Sequence, residues 1–514
     1  MKWIEGADAI QKDLPDILHD ESRFESGVPE LVCFPTSVEE LKTALGMARE
    51  RGLRVTFIGA QTGTTGGAVP ESGTCAIAFS GMNRIRSIDW SRGEEKPVLV
   101  CDPGVSLDMI GRFLDSPQSW PCSVPGQESL QPGAYVYSPD PTEMTAQLGG
   151  TVATNASGAR SYMYGPTRAH IAWLDLVLAD GRTIRSQRPC KPASHWDRTV
   201  TVDDGSIIEV PPLPYNSTGI KNASGYFNSP DMEPVDVFIG SEGTLAAIGA
   251  IGIFLDSAPD ILAGLSFFCS VEGAFDFADF LRSQENVAAI EFFDTGSLRF
   301  IDRYRKRLPE NFPEFPPNAA SAILWEYVEK QSGDFEAVME RWESELLKAG
   351  SSFDATWSGF DASEQERLHH FRHALPEMVN SIVAGNKRYC HEIRKIGTDS
   401  SFPAAAFRAG YAEMMELIEP SGIAFAAFGH LGDNHIHINL IPSDKAALDR
   451  ALDIYDKLMM VALNHKGAVS AEHGIGKIKK KYLPAMYGER GVAAMRAVKT
   501  AFDPQGLLNP GNLF

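Results

Sequence analysis

No run in this sequence approaches the ~20 consecutive apolar residues of a membrane-spanning helix. The opening Met1-Lys2-Trp3-Ile4-Glu5-Gly6-Ala7-Asp8 also lacks the long apolar core of a signal peptide. A cytoplasmic protein is expected, with peripheral contact at the inner membrane left open. Paired cysteines are missing too: the seven, Cys33, Cys75, Cys101, Cys122, Cys190, Cys269 and Cys390, are scattered without a Cys-x-x-Cys. That spacing indicates neither a disulfide framework nor a Cys-ligated cluster, and a reducing compartment fits best. Positive charge is scarce: 47 basic against 67 acidic residues give a formal charge of -20, which argues against a nucleic-acid binder. What remains is 43% apolar and 22% charged, the balance of a folded globular protein. Its 514 residues exceed one hydrophobic core and predict about two to four domains.

One stretch organises the rest. Phe428-Gly429-His430-Leu431-Gly432-Asp433-Asn434-His435-Ile436-His437-Ile438-Asn439 gathers three histidines, an aspartate and two asparagines. Its second half alternates polar with apolar, so a strand there places His435, His437 and Asn439 on one face, too polar to be core. The turn chemistry of Gly432-Asp433-Asn434 can return His430 beside His437. Converging imidazoles suit a divalent metal such as zinc, held by three protein ligands with one position open. The third ligand is expected in Ser470-Ala471-Glu472-His473-Gly474-Ile475-Gly476. His170 and His391, isolated in sequence, read as structural.

Upstream, Glu30-Leu31-Val32-Cys33-Phe34-Pro35 reads as a buried strand. Ser37 opens a helix as N-cap, with Glu40 completing a capping box. The helix ends near Gly52, and a second strand at 53–58 makes a strand-helix-strand unit. That strand runs into Gly59-Ala60-Gln61-Thr62-Gly63-Thr64-Thr65-Gly66-Gly67, whose amides and hydroxyls can cradle a diphosphate. By itself it reads first as a tight turn. A second small-residue region spans 149–160, where backbone can approach a flat ligand closely. Strands are expected at 98–101, 173–179 and 248–255, an insertion or surface loop at 182–214, and a solvated helix start at 477–481. Helices at 335–347 and 446–464 are expected on one face of an antiparallel sheet.

From about Pro29 onward the chain resembles the flavoprotein family of D-lactate dehydrogenase, D-2-hydroxyglutarate dehydrogenase and the flavin subunit of glycolate oxidase. The stretches 58–70, 139–168, 236–245, 429–439, 471–476 and 503–511 carry the resemblance. It implies an α+β architecture: a two-subdomain FAD-binding domain of vanillyl-alcohol-oxidase type over 1–255, with an N-terminal helix at about 1–28. A cap domain of antiparallel sheet covered by helices follows over 256–465, and a C-terminal segment, 466–514, returns to the FAD domain. It implies noncovalent FAD, with Gly59, Ala60, Gln61, Thr62, Gly63 and Thr64 at the diphosphate. Pro139, Asp140, Gly149, Gly150, Asn155, Gly158, Gly165, Glu242 and Gly243 would line the rest of the site, and Asn509 would sit near the flavin ring.

The same resemblance implies oxidation of a D-2-hydroxy acid, D-lactate first, to the 2-oxo acid by hydride transfer to flavin N5. D-2-hydroxyglutarate and glycolate are the alternatives; a noncatalytic flavin subunit of a larger oxidase is the alternative of another class. It assigns His430, His437 and Glu472 to a divalent metal, zinc first, and His473 as catalytic base. Arg372 and Lys395 would hold the substrate carboxylate, with Asn439 nearby. His435 stays open between fourth ligand, substrate contact and outer partner, because Asn434-His435 stands where the 2-hydroxyglutarate branch commonly has Gly-Asn. Ala60-Gln61 for Gly-Asn and Ala246 for Gly are further departures. Electrons would leave to a quinone, cytochrome or electron-transfer protein, and a homodimer is a further expectation.

Overall fold

The computed structural model describes the chain apart from residues 26, 94–95, 190–195, 306–313, 330–333 and 360. Its first sheet has the spatial order Lys2–Glu5, Leu31–Phe34, Thr74–Ala78, Arg54–Ile58, with the last three strands parallel. The expected strand-helix-strand unit is present, but Thr74–Ala78 lies between its two strands. The helix Val38–Glu50 buries Leu41, Ala44, Leu45 and Ala48, the i, i+3, i+4, i+7 stripe of a helix lying on a core. Ser37 caps it, accepting from the Glu40 amide at 3.3 Å. The capping box does not close, because the Glu40 carboxylate turns outward to the Thr36 amide and hydroxyl, both at 2.8 Å, and to the Met1 ammonium.

A second, antiparallel sheet runs Ile85–Asp89, Val98–Cys101, Ala247–Phe254, Ile171–Val177, Thr183–Gln187. The stretch expected as a surface insertion therefore begins as an edge strand, since Thr183–Gln187 alternates outward polar with inward Ile184 and Ser186. It continues as a hairpin of Thr199–Thr201 with Ile207–Glu209; Cys190 and the rest of 190–195 lie outside the described residues.

The third sheet has eight strands, antiparallel throughout. Asp260–Phe268, Ser321–Glu329 and Val287–Phe293 lead across it to Ala424–His430 and His435–Ile441. Asp334–Lys348 and Lys445–Asn464 share one face with Val271–Arg282, packing Trp342 and Leu458 into the core that contains Phe268 and Ile438. Successive residues of a strand face opposite ways, so Phe267 and Ile441 belong to a separate core. Thr295–Arg303 and Ala362–Asn386 cover it. Helices thus close both faces.

The C-terminal segment returns to the first sheet. The Val55 amide donates to the Leu507 carbonyl at 2.7 Å, and the Asn509 amide to Val55 at 2.7 Å. Among the described residues no helix is long and apolar enough to cross a membrane.

Candidate active site

Ala424–His430 and His435–Ile441 pair antiparallel, with Phe428 opposite His437, joined by the turn Leu431–Asp433. Asn434 closes that turn at φ 52°, a left-handed position that asparagine tolerates better than most residues. The reversal brings the rings together: His435 and His437 lie 4.4 Å apart between centroids, His430 and His437 5.8 Å. The polar face is internal, contrary to the reading that it could not be core. His435 has no exposed surface and Asn439 is 5% exposed. The strand Ser400–Ser401 pairs alongside it with Ile436 and His435, and most of the face's polar atoms find partners, His435 Nδ1 excepted.

Glu472 lies at the centre. Its Oε1 is 3.1 Å from His437 Nε2 and its Oε2 is 3.4 Å from His430 Nε2. Ser157 and Lys221 each reach Oε2 at 3.1 Å. The far nitrogens are spoken for: His430 Nδ1 is 2.6 Å from Glu291, and His437 Nδ1 is 3.2 Å from the Thr398 carbonyl. An outer acceptor on one ring nitrogen holds the proton there and turns the other lone pair inward. Although burial opposes the charged form, Glu291 and Glu472 lift His430 to about 9, and His430, Arg372 and Lys221 hold buried Glu291 down at about 2. Against burial, Lys221, His430 and His435 hold Glu472 well below the usual carboxylate range. Inward ring nitrogens around an ionised carboxylate are the donor set of a divalent metal, whose binding would displace the proton from His430 Nε2. The residues fit one.

His473 is the open member of the group. Its side chain is 35% exposed, against 7% for His430 and 12% for His437. His473 Nδ1 is 3.3 Å from Asp399 Oδ2. That carboxylate also accepts from His435 Nε2 at 2.9 Å, Ser470 Oγ at 2.7 Å, Lys479 Nζ at 3.0 Å and the His473 amide at 3.0 Å. Lys477 and Lys479, read as a solvated helix start, are both buried: Lys477 donates to the Val69 carbonyl at 3.0 Å and to Asn512 at 3.2 Å.

The structure does not join Arg372 to Lys395. Arg372 is buried against Asp140 at 2.9 Å and Glu291 at 3.4 Å, with its Nη2 unpaired. Lys395 is exposed, with no hydrogen bond or ion pair among the described residues. His170 donates from Nε2 to the Tyr164 carbonyl at 3.0 Å, a structural histidine, and His391 is exposed.

In the first small-residue loop part of the backbone is bare. The amides of Gln61, Thr62, Gly63 and Thr64 meet no acceptor among the described residues. Gln147 Oε1, buried and unpaired, lies beside Gly59, and Gly150 borders open space. A row of free amides with a lone buried acceptor fits a ligand that carries both a diphosphate and hydrogen-bond donors, as FAD does. Gly158 lets two chain segments touch: a Cβ there would stand 1.7 Å from the Asp140 carbonyl oxygen. Asn155 accepts from the Arg168 amide at 2.9 Å, and Gly149 and Gly165 lie in the same segment, which Pro139 joins through its carbonyl to Ser161 Oγ at 3.2 Å. Glu242 and Asn509 turn their polar atoms onto protein. Glu242 accepts from the amides of Ile475 and Gly476, both at 2.7 Å, and Asn509 bonds the Phe57 amide and the Glu242 carbonyl. Gly243 packs directly on Asn509, and Ala60 is exposed.

Sequence reasoning missed Glu291, Lys221 and Asp399. Glu291 had a signal, as the lone charge in the apolar strand Val287–Phe293. Lys221 and Asp399 sit in irregular segments where a charge is unremarkable.

Comparison with known proteins agrees with this division of labour. A family model described as FAD binding domain matches residues 29–127 and 126–187, and one described as FAD linked oxidases, C-terminal domain, matches 260–513. The D-2-hydroxyglutarate dehydrogenase of Xanthomonas citri is 28% identical, covering 98% of this chain and 93% of its own. The glycolate oxidase subunit GlcD of Bacillus subtilis is 26% identical over 96% and 91%, and the D-lactate dehydrogenase of Archaeoglobus fulgidus 26% over 100% and 99%. Among solved structures, an alkyldihydroxyacetonephosphate synthase superposes with a TM-score of 0.62 at 14% identity, over 94% of this chain and 76% of that one, which speaks for the fold alone. An FAD-binding match and an FAD-linked oxidase match follow one another along most of the sequence, and the chain belongs to the FAD-linked oxidase family of oxidoreductases.

Proposed function

We propose that this protein oxidises a D-2-hydroxy acid, D-lactate first, to the 2-oxo acid, using noncovalent FAD and a divalent ion held by His430, His437 and Glu472. The observation that carries the reading is the contrast within one cluster: buried imidazoles turned inward on Glu472, and one exposed imidazole, His473, backed by Asp399. When bound, FAD supplies the two-electron acceptor for the hydrogen on Cα, and the ion a Lewis acid that lowers the hydroxyl pKa.

The chain's own residues do the rest. Asp399 accepts the His473 Nδ1 proton, leaving Nε2 as base for the substrate hydroxyl, and it stabilises the imidazolium that forms. Arg372 offers the unpaired Nη2 to the substrate carboxylate; Asp140 and Glu291 hold its guanidinium in plane. Lys395 supplies a second positive charge, and Asn439 a hydrogen bond. Because Asp140 and Glu291 already offset Arg372, little positive charge is left to hold a second substrate carboxylate. That favours a monocarboxylate such as lactate over 2-hydroxyglutarate.

The test is the anaerobic spectrum of the FAD-loaded protein. Bleaching of the flavin band by D-lactate but not L-lactate is expected. Bleaching by D-2-hydroxyglutarate or glycolate alone would move the substrate assignment, and no bleaching by any of them would leave a noncatalytic flavin subunit.

A further inference from the structure

We propose that His435 is a fourth protein ligand of this divalent ion, binding through Nδ1, and that the ion is therefore one that takes six donors rather than four. The inference rests on the metal reading above and adds a residue and a coordination number to it. His435 Nδ1 is buried with no hydrogen-bond partner, a state that is costly when nothing fills it. Donors are present in the same pocket, but Lys221 Nζ and Ser157 Oγ both go to Glu472 instead.

The tautomer is set from outside. His435 Nε2 lies 2.9 Å from Asp399 Oδ1, and an ionised carboxylate only accepts, so the proton stays on Nε2. The Nδ1 lone pair then faces Glu472 Oε2 at 3.9 Å. His430 and His437 repeat the pattern with the ring reversed, each held at Nδ1 and presenting Nε2. One ligand atom from each of His430, His435, His437 and Glu472 lies within 4.8 Å of all the others. Donors ~2.1 Å from a shared ion stand ~3 to ~4 Å from one another, and the three ring nitrogens stand 3.1, 3.4 and 3.9 Å from a Glu472 oxygen. A substrate contact does not explain the ring, since His435 has no exposed surface.

The coordination number follows from counting. Three imidazoles and a carboxylate fill the shell of a tetrahedral ion and leave no position for substrate. A chelating 2-hydroxy acid needs two positions, so the ion must accept six nitrogen and oxygen donors, as Mn2+, Fe2+ or Co2+ does.

The experiment strips metal from the FAD-loaded protein with a chelator and titrates it with Co2+ alone. X-ray absorption at the cobalt edge is expected to count three imidazoles in the unmodified protein, with the weak visible bands of a six-coordinate ion. His435→Asn should lose one imidazole and bind Co2+ at least about tenfold more weakly. Two imidazoles in the unmodified protein would overturn the assignment whether or not the variant folds. Unchanged affinity in a His435→Asn protein that keeps its FAD would do the same. Intense four-coordinate bands would overturn the coordination number alone, and no Co2+ uptake would remove both this inference and the metal reading beneath it.

Discussion

The loop at 59–67 and the strand His435–Ile441 build binding sites from opposite materials. The loop offers main chain: the amides of Gln61, Thr62, Gly63 and Thr64 meet no acceptor among the described residues. The strand offers side chains, each held by a partner from elsewhere: Glu291 behind His430, Thr398 behind His437, Asp399 behind His435. A backbone site tolerates changes of side-chain chemistry but not of bulk. A side-chain site tolerates neither loss of a ligand nor loss of the group behind it. Substitutions that separate bulk from chemistry therefore test the contrast.

The largest effect belongs to His473→Ala. It should keep the yellow colour and slow anaerobic flavin reduction by roughly 10²–10⁴-fold, the range of a lost general base; reduction at the normal rate would remove His473 from the chemistry. Gly158→Ala is the converse, a change of bulk without chemistry. With 1.7 Å between the new Cβ and the Asp140 carbonyl, the segment must move, at a cost of roughly 1–3 kcal/mol or more. The purified variant should carry much less flavin per chain, and full flavin content would show that the contact yields.

Asp399→Asn tests the supporting groups. It keeps size and removes charge, so flavin content should hold while reduction slows by roughly 10–100-fold. Loss of flavin instead would mean that Asp399 organises the cofactor side.

The smallest effect concerns the seam between the two regions, where Glu242 accepts from Ile475 and Gly476. Burial lifts its pKa to about 7, with the two amides opposing. Its folded pKa thus lies above the unfolded value of ~4.3, so the folded state binds the proton more tightly. The stabilisation is full below pH ~4 and is lost as pH rises through about 7. Thermal melting should weaken between these limits by an amount on the order of a few kcal/mol. Glu242→Gln should flatten that slope; parallel slopes would exonerate Glu242.

Much of this site was legible in the residues. The 435–440 alternation is a local property, and the strand puts His435 and His437 on one face as a period of two requires. The Asn434 turn returned His430 as its composition indicated. The cap helices at 335–347 and 446–464 were readable from their own periodicity. Other expectations met long-range competition. Glu40 abandoned its capping box for Met1 and Thr36, and Lys477 and Lys479 left solvent for Asn512 and Asp399.

By itself, then, the sequence determined the FAD-linked family, through motifs each legible in a short stretch, and the identity of the histidine strand, because these depend on residues close together in the chain. Only the tertiary structure decided that the strand's polar face is buried, which nitrogen of each ring faces inward, and that Asp399 and Glu291 stand behind them. Ser157 meets Glu472 across 315 residues and Lys221 across 251. The state of a buried charge is set by the charges and donors packed against it, and those come together only when the chain folds.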